Sequence, residues 1–384
     1  MICSEMRNGV KKVNIIFYLA IAVMLLLTGC LVKKAPQNLQ LNELTYEGTV
    51  ELKYATQFSI DCYKEGYRII RIKNGENYLV VPRGKKVPKK DDDMIVLQQP
   101  FNNIYLVSTS VMDFFARLDE VNNVRLTGTK KNDWYIKEAI DALEKGEMIY
   151  AGKYNQPDYE LIVGEECDLS IQNTMIYHSP ETKEKLEEMG IPVFVEQSSL
   201  ENHPLGRLEW IKVYGILMGK EEEAEIFFNE QLENIEENVK TDDTEKKVAY
   251  FYVTSNGAVS VRKSGDYISK MIEMAGGKYV FDDLTDDNAL STINIQMEEF
   301  IDKAADADYL IYNSTIDGEI STMDDLLNKC PELKNSKAVK EGNVWCTGKN
   351  MFQETTGCSD MILDMYYMMS GEEREFTYLS KLQP

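Results

Sequence analysis

Histidine is nearly missing: His178 and His203 are the only two in 384 residues. A bare zinc or manganese site needs several imidazoles or carboxylates in one cluster. Two isolated histidines therefore argue against such a site, unless carboxylates complete it. Each histidine stays open as an axial ligand to haem or a corrinoid, His203 ahead of His178, beside the ordinary role of a surface or hydrogen-bonding group. No C-x-x-C pair occurs, which excludes a zinc ribbon and a thioredoxin-like site. There is no G-x-S-x-G elbow, no H-E-x-x-H and no P-loop. The chain is read as a non-enzyme, and a Ser–His pairing formed only in space is the catalytic alternative. Basic residues are also scarce: 42 Lys and Arg face 64 Asp and Glu, a net charge of −22. Phosphate contacts need Lys and Arg, so nucleic-acid binding is not expected. The acid excess is read as solubility of an exposed surface.

What is present begins at the N-terminus. Arg7, Lys11 and Lys12 precede thirteen apolar residues, Ile15 to Leu27. A basic segment, a short apolar run and small residues before a break mark a secretory signal. The alternative, a single membrane span, needs about 20 apolar residues. Leu27-Thr28-Gly29-Cys30 resembles a bacterial lipobox. That resemblance implies cleavage before Cys30 and lipid attachment there, leaving the protein membrane-anchored and extracytoplasmic. Cleavage removes three positive charges and one negative charge, Glu5, and so takes the net charge from −22 to −24. Five cysteines follow Cys30: Cys62, Cys167, Cys330, Cys346 and Cys358. Export permits disulfides, the odd count leaves one thiol unpaired, and a pair among the last three stays open.

The mature length exceeds what one core usually serves, so two domains are expected. Residues 1–29 read as the signal, 30–48 as a tether, 49–218 as a β/α lobe, 219–246 as a connecting helix and 247–384 as a second lobe. Tyr67 to Ile72, the Asn74-Gly75 turn signal and Tyr78 to Val81 predict a hairpin. From Ile95 onward, short apolar runs alternate with helical spacing, which implies parallel β/α units. Ser179-Pro180 predicts a capped helix start. Ala224, Phe227, Phe228, Leu232, Ile235 and Val239 mark one face of a long amphipathic helix. A fresh series opens at Val248.

Three segments carry a resemblance. One is Glu160 to Ile171, with Cys167 where a proline is usual. The second runs from Glu299-Phe300-Ile301 to Asp308-Tyr309-Leu310-Ile311. The third joins Gly190-Ile191-Pro192-Val193 to Gly215, Gly219 and Ala224. In this order the chain, from about 55 to 370, resembles the periplasmic binding proteins for iron-siderophore, haem and cobalamin. The resemblance implies an α/β fold with two lobes on one long helix and a ligand cleft between them. It also implies a monomeric protein working with an ABC importer permease dimer and its ATPase subunits. Glu160 and Glu299 fall where that family docks onto permease arginines. Two separated carboxylates on one rim suit two basic pockets, although both also fit ordinary acids at helix starts, and Glu298 competes with Glu299.

Ligands of open β/α lobes bind beyond the carboxyl ends of strands. Loops there supply Gln99, Tyr105, Trp134, Lys153, Tyr154, the Asn173–His178 segment, His203, Arg207 and Trp210 in the first lobe. Arg262, Lys349 and Phe352 belong to the second. Aromatics with a few basic groups suit a large, partly anionic chelate, with iron-siderophore favoured over corrinoid or haem. Arg207 pairs either with a ligand carboxylate or with Glu209. The tryptophans and Tyr154 serve either stacking or the core. The competing functions are a lipid-anchored sensor or interaction protein on the same fold, and a free metal-ion binder.

Overall fold

The computed structural model describes residues 40–89, 94–240, 245–285, 291–372 and 374–384. The signal segment, Cys30 and most of the tether lie outside the described residues. Gln40 to Glu43 and Lys89 belong to a small unit of their own, in which Leu41–Glu43 makes a 3-10 turn. Everything below concerns the unit formed by Leu44–Val87 and Asp91–Pro384.

Its first sheet runs in the order Tyr46–Thr49, Phe58–Tyr63, Arg68–Ile72, Asn77–Val81, Met94–Gln98. The first four strands pair antiparallel and the last pairs parallel to Asn77–Val81. Asn74, at φ 56°, makes the expected hairpin turn. Two differences from expectation appear here. Tyr46–Thr49 precedes the expected lobe start at residue 49. Its side chains are mostly exposed, so it carries no apolar alternation. The run at Ile95 completes this sheet rather than opening the β/α series.

The parallel sheet of the first lobe follows, in the order Val193–Val195, Leu169–Gln172, Ile104–Leu106, Leu126–Thr127, Ile149–Tyr150. Side chains alternate across a strand, and both faces are covered here, as parallel sheets require. Ile104, Leu106 and Phe194 enter the main core, whereas Tyr105, Val193 and Val195 enter a second core on the other face. The first sheet covers the outer edge of this one. The Tyr78 hydroxyl accepts the Val195 N–H at 3.1 Å, and its ring lies 4.6 Å from that of Phe194.

The connecting helix is Glu221–Asn238, and Ala224, Phe228, Leu232 and Ile235 are its buried face. Eighteen residues span about 27 Å. Three acids in its first turn complement the helix dipole. The glycine spacing ahead of it has a steric cause. Gly219 ends helix Ile211–Met218 in the left-handed conformation, at φ 68°. A Cβ on Gly215 would lie 2.6 Å from the Cβ of Ala224. The chain thus folds back tightly, and the strut packs on the first lobe.

The second lobe is a mixed sheet in the order Thr292–Ile295, Val259–Arg262, Lys247–Val253, Tyr309–Tyr312, Val344–Thr347, Leu379–Lys381, with Lys278–Tyr279 also pairing to Lys247–Val253. The three middle strands are parallel; the flanking pairs are antiparallel. The C-terminal helix Cys358–Ser370 packs along the strut. There the Tyr367 hydroxyl reaches Asn238 Oδ1 at 3.2 Å. Ser179 occupies the N-cap of helix Pro180–Glu188, with Pro180 in the first turn, but its side chain makes no cap bond. All five described cysteines are free. No helix among the described residues is long and apolar enough to cross a membrane.

Candidate functional site

Three adjacent strands of the first lobe end at one place. Beyond Ile104–Leu106 come Ser108, Thr109 and Ser110. Beyond Leu169–Gln172 come Asn173, Thr174 and Met175. Beyond Val193–Val195 come Glu196, Ser198 and Ser199. The facing wall belongs to the second lobe: Tyr267 and Met271 on helix Tyr267–Met274, then Met351 to Cys358, Met361 and Tyr378. Between the walls lies a cavity of 320 Å³. It sits where open β/α sheets place ligands, outside the carboxyl ends of strands.

The polar lining is largely satisfied. Buried Glu196 accepts the Ser108 hydroxyl at 2.8 Å, and the N–H and hydroxyl of Ser198 at 2.9 and 2.6 Å. Glu354 accepts the Tyr378 hydroxyl at 2.7 Å and the Asn350 amide at 3.0 Å. Arg207 differs. Its Nε and Nη2 donate to the carbonyls of Glu201 and Ser199 at 3.0 and 2.7 Å. The guanidinium rests on the ring of Tyr267, and it pairs with no carboxylate among the described residues. Glu209, its sequence neighbour, instead pairs with Lys212 at 3.1 Å and with backbone N–H groups of Lys53, Tyr54 and Ala55. A guanidinium has five donors, so Arg207 keeps donors free for an anion. Sulfur is plentiful in the lining: Met175, Met271, Met351, Met361 and Cys358. Burial pushes the Cys358 thiol up to about 12, so it is a neutral apolar group.

The lobes meet along a second line besides the strut. Gln353 accepts the Tyr135 N–H at 2.8 Å and donates to the Asp133 carbonyl at 2.7 Å. Thr355 donates to the Ser110 carbonyl at 3.1 Å. Asp113 of helix Thr109–Arg117 accepts both the N–H and the hydroxyl of Thr356, at 2.6 and 2.5 Å. Burial raises the Asp113 carboxyl to about 6 despite those bonds and the nearby Arg117. Residues 353 to 356 thus stitch the wall of the cavity to the opposite lobe.

Of the candidate ligand groups, Arg207, Phe352 and the first three residues of the Asn173–His178 segment line this cavity, and the others do not. Tyr105 points to the opposite face of its strand and donates to the Gly152 carbonyl at 2.8 Å. Trp134 and Trp210 are core residues; Trp210 donates to Glu201 Oε1 at 3.2 Å. Gln99 donates to the Ile216 carbonyl at 2.6 Å, away from the strand ends that form the cavity. Lys153 is exposed on a short hairpin, and Tyr154 packs on the second core. His203 caps helix Pro204–Glu209, its Nδ1 accepting the Leu205 N–H at 3.2 Å, and stacks on Tyr54 at 4.6 Å. Burial, with Lys270 nearby, lowers its pKa, which suits a neutral acceptor. Arg262 is buried behind the wall, 3.6 Å from Asp266 and 5.6 Å from the Phe352 ring. Lys349 faces Glu319 at 3.8 Å. His178 ends the 3-10 turn Thr174–His178 and does not line the cavity. Ser108 and Glu196 went unnamed in the sequence reading, although each closely follows an apolar strand and the strand-end rule would have found both. Tyr267 carried no such signal.

Glu160 and Glu299 are both exposed, each in the first turn of a short helix, Tyr159–Gly164 and Met297–Ala304, one per lobe. Glu298 is equally exposed beside Glu299. Among the described residues, no three His, Cys, Asp or Glu side chains cluster as a metal site.

Comparison with known proteins agrees with this layout. Residues 85–351 match the family model described as periplasmic binding protein. An uncharacterized lipoprotein of Methanocaldococcus jannaschii is 25% identical over 382 residues, covering 89% of each chain. Among solved structures, the periplasmic haem-binding protein of Vibrio cholerae superposes with a TM-score of 0.57 at 15% identity, covering 69% of this chain and 99% of that one. The petrobactin-binding protein of Bacillus subtilis gives 0.56 at 15% identity, covering 71% and 93%. The chain belongs to the periplasmic binding protein family, and its two-lobed α/β architecture is the fold of these solute-binding proteins.

Proposed function

We propose that this protein captures an anionic metal chelate in the interlobe cleft and delivers it to an ABC importer permease. The reading rests on one observation: Arg207 projects into a cleft at the strand ends with no carboxylate partner. A half-buried guanidinium with free donors is suited to a carboxylate or another oxyanion. The surrounding serine and threonine hydroxyls serve an oxygen-rich ligand, and the methionines and Phe352 adapt to its apolar parts. This favours an iron-siderophore over a corrinoid or haem. No lining residue is a histidine, so axial ligation by His178 or His203 has no support from the cleft.

Glu160 and Glu299, one on each lobe, are assigned to docking on the permease dimer. Opposite charges there orient the encounter and raise its rate. Cys30 is assigned as the lipid-bearing residue that holds the protein at the extracytoplasmic face of the cell membrane. The protein is assigned as a monomer that carries its cargo without chemistry.

Quenching of intrinsic fluorescence tests the reading. Purified protein is titrated separately with a ferric trihydroxamate chelate, cyanocobalamin and haemin. Saturable quenching by one of them is expected, and a flat response to all three would falsify the chelate assignment.

A further inference from the structure

The ribbon Lys53–Gln57 lies before the stretch that matches the family, residues 85–351, yet it holds the segment that carries Arg207. Its five consecutive N–H groups point at two buried carboxylates. Glu209 accepts those of Lys53, Tyr54 and Ala55 at 3.0, 2.8 and 2.9 Å. Glu201 accepts those of Thr56 and Gln57, both at 2.9 Å, together with the Thr56 hydroxyl at 3.0 Å and the Trp210 indole at 3.2 Å. Glu201 is 1% exposed and Glu209 is fully buried. Carboxylates this deep need such donors, because an unsatisfied buried charge is strongly unfavourable.

Two further contacts lock the ribbon to the same turn. The Tyr54 ring stacks on His203. The Tyr54 carbonyl approaches Gly206 so closely that a Cβ there would sit 3.0 Å from it and 3.3 Å from Glu201 Oε2. Residues 201, 203, 206 and 209 thus all face the ribbon, and Arg207 points out from among them into the cleft. Two of the Arg207 donors end on carbonyls of this segment, at Glu201 and Ser199. Any shift of Glu201 therefore moves the guanidinium.

We propose that the ribbon Lys53–Gln57, anchored by Glu201 and Glu209, is a positioning element that aims Arg207 at the cleft ligand. The proposal rests on the cleft reading for the ligand's presence, but the aiming itself is measurable without one. Arg207 is held 3.5 Å above an aromatic ring, so its Nε–H resonance carries a ring-current displacement. The signal is identified as the one lost in Arg207→Lys.

In Glu201→Gln, a side-chain NH2 replaces one acceptor oxygen facing the ribbon. In Gly206→Ala, the methyl pushes on the Tyr54 carbonyl. Both variants are expected to shift or broaden the arginine signal while thermal unfolding stays cooperative. They are also expected to bind whichever of the ferric trihydroxamate, cyanocobalamin or haemin the wild type takes about tenfold more weakly. Should Glu201→Gln fail to fold, Gly206→Ala and the milder Thr56→Ala carry the test. An unmoved arginine signal in folded variants overturns the proposal. If the wild type binds none of the three probes, the chelate reading fails and the arginine signal still decides the positioning claim.

Discussion

The guanidinium carbon of Arg207 lies 3.5 Å from the centroid of the Tyr267 ring, so a cation of one lobe rests on an aromatic face of the other. Such a contact is worth about 0.5–2 kcal/mol, and a hydrogen bond from a charged group about 1.5–3 kcal/mol. Replacing Arg207 with Ala is therefore expected to weaken chelate binding roughly ten- to a hundredfold. Arg207→Lys should fall in between, since a lysine lacks the planar fork. Tyr267→Leu should cost less than either. Isothermal titration reads all three, and an Arg207→Ala protein with wild-type affinity would remove the arginine from the ligand's contacts.

Asp113 gives the interlobe contact a pH dependence. Its partners are Thr356, with Arg117 at 3.9 Å on its own helix and Glu354 on the facing segment. Burial raises its pKa from 3.8 to about 6, so the folded state binds the proton more tightly than the unfolded chain. The contribution is fully present below pH 3.8 and is lost as the pH rises through about 6. That difference corresponds to about 3 kcal/mol as an upper figure. Between pH 4 and 7, the stability of Asp113→Asn relative to wild type should rise with pH. Urea unfolding at several pH values measures it, and parallel curves would contradict the assignment.

Gly215 and Ala224 set how closely the strut folds back. A Cβ at 215 would meet the Ala224 Cβ at 2.6 Å and the Lys220 carbonyl at 2.9 Å, so neither neighbour has a flexible end to give. Gly215→Val is expected to lose about 1–3 kcal/mol by overpacking. The same change at Gly164, where nothing lies within 4 Å, should cost much less. Thermal melts of the two variants decide between a tight joint and a tolerant one.

Docking by the exposed acids is separable from capture. Glu160→Lys and Glu299→Lys each reverse a charge at a helix start outside the cleft lining. Uptake of labelled chelate by cells should fall sharply for both, and for the pair together, while the purified variants bind chelate normally. Glu298→Lys, alongside, reports which neighbour faces the permease. Undiminished uptake by the double variant would end the docking assignment.

Local pattern made much of the architecture readable. The strut is evident because Ala224, Phe228, Leu232 and Ile235 recur at helical spacing. The hairpin at Asn74-Gly75 and the strand at Tyr309–Tyr312 are similarly local. The site was less readable, because its walls meet through contacts between residues far apart in the chain. Thr356 meets Asp113, and Tyr267 meets Arg207, without any mark in the sequence around either. Residue type also misleads where burial decides: Trp134 and Trp210 look equally fit for a ligand or a core, and both went to the core. Tyr105 was decidable, since strand parity sets it opposite Ile104 and Leu106. The extra strand pairing at Met94–Gln98 was not, because a short apolar run does not reveal its partner sheet.

The most direct measurement is native mass spectrometry of the protein purified from the cells that make it. The account predicts a mass increment with the isotope pattern of a metal chelate, present in the wild type and diminished in Arg207→Ala. A retained ligand without metal, or one held equally by both proteins, would contradict it.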